Sequence, residues 1–120
     1  MVEPYTQQEA FNRAYLGILG QGRASITENG MCVYNGPDET HCAIGWLIPP
    51  EYYDKKFDKE LTLVKVMSRV PALRNLDYVF LSELRSVHDN AADIGFLDFI
   101  EKFKKKAQAF ATKYSLTMPE

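Results

Sequence analysis

Apolar side chains recur at helical spacing over four stretches of the chain, and over another stretch the period shortens to two. Phe11, Ala14, Tyr15, Ile18 and Leu19 fall at i, i+3, i+4, i+7 and i+8, which gathers all five on one helix face. Ahead of them, Thr6-Gln7-Gln8-Glu9 has the pattern of a capping box, in which the threonine oxygen takes the Glu9 amide and the glutamate reaches back. Gly20 and Gly22 stop the helix, because glycine enters the left-handed conformation at little cost. Leu63, Val66, Met67 and Val70 mark a second helix, closed by Pro71. Asn75 or Asp77 caps a third, with Phe80, Leu84, Val87 and Ala91 in one inner row and Leu81, Leu84 and His88 in the adjacent one. After a break over residues 90–95, Phe96, Ile100, Phe103, Ala107, Phe110, Ala111 and Tyr114 define the clearest amphipathic helix of the chain.

Residues 24–42 carry the two-residue period. Asn29-Gly30 and Asn35-Gly36 tolerate positive φ, so strands are predicted at 25–27, 31–34 and 40–42. A five-residue loop over 35–39 would set Tyr34 opposite Thr40, Val33 opposite His41 and Cys32 opposite Cys42. Residues 42–48 read as a short buried helix, in which Ala43 and Gly45 allow close approach to another backbone and Pro49-Pro50 ends the run. Pro50 can open a further turn with Glu51 near its start, and Tyr52, Tyr53 and Phe57 would cover the core edge. The expected fold is a single α+β domain over 1–120, mainly helical, with four to five helices around a small β-hairpin or three-stranded antiparallel sheet.

Composition narrows this picture. With 120 residues, 46% hydrophobic and 25% charged, the chain is long enough for one core and ordinary for a globular protein. A net charge of −2 argues against a dedicated nucleic-acid binder. Lys102, Lys104, Lys105 and Lys106 could meet phosphate, but Asp98 and Glu101 precede Lys102 and Lys105 by four residues, as on a solvated helix face. No run is long enough to span a membrane, and the first ten residues carry neither a basic n-region nor an apolar h-region, so the cytoplasm is the expected location. Two cysteines in such a chain read as reduced thiols, although two also suffice for one bridge.

The stretch 31–50 gathers both cysteines, the one tryptophan and His41, and three readings compete for it. Cys32, Cys42, His41 and His88 could supply a tetrahedral zinc site, although only His41 and Cys42 are close in sequence. Cys42 at a helix N-terminus could be a thiol nucleophile, with His88 as base and Asp89 orienting it, in a hydrolase or transferase. Alternatively, Cys42 and His88 are core residues, the histidine tying a helix to a loop by one hydrogen bond. This structural reading is preferred, which implies no cofactor. Tyr34, His41, Trp46, Tyr52 and Tyr53 would then be the residues suited to a binding surface.

Cys42-Ala43-Ile44-Gly45 followed by Leu47-Ile48-Pro49, with Cys32 and Tyr34 before an Asn-Gly-Pro loop and with Leu84 to His88-Asp89 downstream, resembles small uncharacterised proteins of tailed phages and prophages. The resemblance spans roughly residues 8–116, and Trp46 departs from it where those proteins often have a small residue or a cysteine. It implies an accessory protein in a bacterial host's cytoplasm that modulates host or defence machinery. The expected function is therefore non-catalytic binding of a host or defence protein, or of a small ligand.

Overall fold

The computed structural model describes residues 4–26, 33–36, 39–54, 57, 62–92 and 99–119. Four α-helices are found among them: α1 (Gln7–Gln21), α2 (Leu63–Arg69), α3 (Tyr78–Ala92) and α4 (Phe99–Lys113). Helix α1 begins with the anticipated capping box: the Glu9 amide donates to Thr6 Oγ1 at 3.1 Å and the Thr6 amide to Glu9 Oε1 at 2.9 Å. It ends at Gly22, whose φ of 75° lets its amide turn back to the Ile18 carbonyl at 3.0 Å. Helix α2 starts after Thr62 and stops before Pro71, which opens a 3-10 turn (Pro71–Leu73) rather than simply breaking the chain. The Asp77 carbonyl accepts the first bond of α3, from Leu81 at 3.0 Å.

Both rows foreseen on α3 are buried: Phe80, Leu81, Leu84, Val87, His88 and Ala91. Phe99, Phe103, Ala107, Phe110 and Ala111 of α4 close against them, while Phe96 lies outside the described residues. Aromatic rings join the helices. Phe11 lies 5.5 Å from Phe110, Tyr15 5.6 Å from Phe103 and Phe80 5.2 Å from Phe110, centroid to centroid. Each fully buried ring of this kind contributes about 2–3 kcal/mol of apolar burial, so the joint between α1, α3 and α4 dominates the core.

The β part of the expected fold is overturned. Among the described residues there is no strand, and the two-residue period of 24–42 yields only isolated bridge residues: Ile26, and Asn35 with His41 as an antiparallel pair. The expected pairings of Tyr34 with Thr40 and Val33 with His41 are each displaced, and Cys42 now donates its amide to the Tyr34 carbonyl at 3.3 Å. Cys32, its expected neighbour, lies outside the described residues, as do Asn29-Gly30 and most of the predicted second strand. Backbone bonds remain from Val33 to Ser25, Gly36 to Thr40 and Cys42 to Tyr34, but side chains take the main-chain groups of Ser25 and His41 that a longer ladder would need. The Gln21 amide binds both the N–H and the C=O of His41, at 3.0 and 2.9 Å, and the Ser25 N–H donates to an imidazole. The buried helix expected over 42–48 is a 3-10 turn (Gly45–Leu47), followed by a second at Pro50–Tyr52.

Helix α4 ends in a Schellman motif with serine where glycine is usual. Leu116 donates its amide to the Ala111 carbonyl at 2.8 Å and Ser115 to Thr112 at 3.3 Å, with Ser115 at φ 57°. Its Cβ strains that conformation. Ser115→Gly is therefore expected to raise stability by about 0.5–1 kcal/mol, seen as a higher urea midpoint at unchanged m-value.

Candidate functional site

The polar centre of the molecule is His88, which has no exposed surface. Its place on the inner face of α3 points the ring at the segment after α1, where the Ser25 N–H lies 2.9 Å from Nε2. A peptide N–H can only donate, so Nε2 accepts and the ring proton sits on Nδ1, 2.8 Å from Asp89 Oδ1. Asp89 follows His88 directly in sequence and still reaches its ring. The Phe99 ring packs edge-on at 5.5 Å and closes the other side.

Arg85, one helical turn before Asp89, extends this network. Its Nε stands 3.9 Å from Asp89 Oδ2 and its Nη1 donates to the Tyr34 hydroxyl at 3.4 Å. Burial works to lower the guanidinium's pKa, but the Tyr34 hydrogen bond and the nearby Tyr34, Asp89 and Cys42 hold it above its ordinary value. Cys42 is buried beside the turn it begins, and its sulfur accepts the Gly45 N–H at 3.3 Å. A Cβ on Gly45 would run into the Tyr34 carbonyl, so this turn is pressed against the preceding backbone in the way expected of its small residues.

A second cluster surrounds Gln21. Besides clamping His41, Gln21 Oε1 accepts the Trp46 indole N–H at 3.1 Å, and Arg13 Nε donates to the Trp46 carbonyl at 2.8 Å. The indole lies over Gly17, where a Cβ would meet Trp46 Cδ2 at 2.5 Å. His41 meets the indole edge-on at 4.7 Å and holds Asn35 Oδ1 at 2.6 Å through Nδ1. Desolvation pushes the His41 pKa below 6.5, against the upward pull of the Tyr34 backbone and the charge of Glu39.

These contacts place the expected site residues as follows. His88 and Asp89 meet, but both imidazole nitrogens are engaged, which leaves no lone pair to receive a thiol proton from Cys42. Among the described residues, no three His, Cys, Asp or Glu side chains gather as metal ligands; Cys32 lies outside them. Tyr34, expected on a binding surface, is only 6% exposed and turns its hydroxyl inward to Arg85. His41, Trp46, Tyr52 and Tyr53 are half-buried. Gln21, Ser25 and Arg85 were not anticipated. Arg85 was legible, since it stands four residues before Asp89, but nothing local marks Gln21 or Ser25. Comparisons with protein-family models, curated proteins and solved structures gave no match.

Two outcomes are expected. His88→Phe keeps the ring volume but strands the buried Ser25 N–H, and should cost about 2–4 kcal/mol in chemical denaturation; Asp89→Asn, which retains an acceptor oxygen, should cost about 1 kcal/mol. For His41 the folded pKa lies below the unfolded value, so the unfolded chain binds more protons in the window between them. Its contribution is complete above about pH 6.5 and is lost as pH falls through the folded value. The melting temperature of His41→Gln should therefore fall less than that of the wild type on acidification from neutral pH.

Proposed function

We propose that this chain is a non-catalytic accessory protein of the phage and prophage type that its motifs resemble, and that it acts in the bacterial cytoplasm by holding a host or defence protein. The observation that carries the reading is the engagement of the one fully buried histidine: His88 uses both nitrogens to fasten Ser25 and Asp89. Cys42 beside the buried turn serves the backbone in the same manner. Among the described residues, no buried side-chain nitrogen or oxygen is left without a partner. No described helix is long and apolar enough to cross a membrane.

Support for a recognition surface comes from the segment after the Cys42 turn. Pro49 and Pro50 stiffen it, and the 3-10 turn (Pro50–Tyr52) presents Glu51 exposed and Tyr52 and Tyr53 half-exposed. Tyr53 is steadied edge-on by Phe57, with ring centroids 5.8 Å apart. Half-buried, pre-positioned tyrosines give contact area at low entropy cost.

A bacterial strain expressing the chain, scored for growth and phage plating, tests this reading. Cys42→Ser should leave the phenotype intact, while Tyr52→Ala combined with Tyr53→Ala should weaken it about tenfold or more, with both variants shown to be folded by circular dichroism. A phenotype lost with Cys42→Ser and kept without the tyrosines would favour the thiol chemistry instead.

A further inference from the structure

Helices α3 and α4 border an open cleft of about 300 Å³. The two helices run in opposite directions there. Glu83 meets Lys113 at one end, at 2.8 Å to each carboxylate oxygen, and Asn90 stands with Lys106 at the other. Glu83 holds the Lys113 ammonium pKa above its ordinary value and so offsets that charge. Val87, Ala109 and Phe110 supply the apolar lining between the ends. From residue 83 to 90 the cleft runs roughly 10 Å along α3, two helical turns.

The two walls differ in charge. On the α4 side Lys106 borders the cleft, and Lys102 stands one turn earlier on the same side of the helix. On the α3 side, Ser86 and Asn90 are neutral, and the one carboxylate, Glu83, is already paired with Lys113. Among the described residues, no carboxylate pairs with Lys106. A purely polyanionic partner would leave the apolar lining unused and would face Glu83. An occupant with apolar anchors at i and i+4, and carboxylates along one flank, satisfies both features.

We propose that the α3–α4 cleft is a docking groove for an acidic amphipathic helix of a partner protein, with its apolar side chains over Val87 and Phe110 and its carboxylates toward Lys106 and Lys102. This rests on the reading of the chain as a binding protein, and it adds a second surface distinct from Tyr52 and Tyr53.

The probe is a fluorescein-labelled helical peptide with leucines at i and i+4 and glutamates on one flank, followed by anisotropy against the full chain. The acidic peptide should bind, and added salt should weaken binding. Lys106→Glu and Ala109→Glu, both at accessible positions, should each weaken it about tenfold or more. A lysine-flanked peptide should bind Lys106→Glu better than it binds the wild type. Absence of binding, equal affinity for both variants, displacement by an oligonucleotide of matched charge, or self-association that buries the groove would each overturn the proposal. Tyr52→Ala with Tyr53→Ala should leave peptide binding unchanged. Failure of the peptide with the cellular phenotype intact thus counts against the groove alone, and loss of the phenotype with Cys42→Ser counts against the binding role.

Discussion

The Ser25 N–H to His88 Nε2 hydrogen bond joins the helical part of the molecule to its irregular part. With the Ser25 amide held from α3, its Oγ donates to the Val33 carbonyl at 2.9 Å and stands 3.4 Å from the Thr40 carbonyl. Two separated pieces of chain are thereby gathered on one residue. The same arrangement excludes any bulk at Gly36, where a Cβ would come within 2.5 Å of Ser25 Oγ. Downstream, the Asn35–His41 bridge and the Cys42 turn take their positions from this point. A buried imidazole with both nitrogens satisfied fixes geometry strongly, because breaking either bond leaves a polar group stranded in a dry interior.

That dependence explains which parts of the fold could be read in advance. Helices α1, α3 and α4 were legible because their stability comes from an apolar face whose period is written in consecutive residues, and because Thr6 and Gly22 carry local capping chemistry. The inward direction of His88 followed from the same period. The pairing of the described residues of 24–42 was not legible, since main-chain groups of Ser25, Val33 and His41 are held by His88, Ser25 and Gln21, which are placed there by the packing of helices and not by their neighbours in sequence. Alternation without a ladder looks, residue by residue, like alternation with one. Gly45 shows the intermediate case: the need for a small residue was readable, while the Tyr34 carbonyl as its neighbour was not.

Cys42 and His88 face inward and support the backbone. The polar clusters at Gln21 and His88 both act on irregular segments, which explains how a chain with so few regular contacts outside its helices keeps Trp46 over Gly17 and the Cys42 turn against Tyr34. The proposed contact surfaces are the half-exposed tyrosines beside a proline pair and the cleft between two helices that Lys106 borders.

The central claim is that His88 is a fully committed structural imidazole, and nitrogen-15 NMR of its ring tests this most directly when combined with hydrogen exchange at the Ser25 amide. The account predicts a ring proton on Nδ1, an Nε2 shift typical of a hydrogen-bond acceptor, and exchange of the Ser25 amide only as fast as global unfolding allows. A ring proton on Nε2, or a Ser25 amide that exchanges like an open loop, would contradict it and return His88 to the pool of catalytic bases.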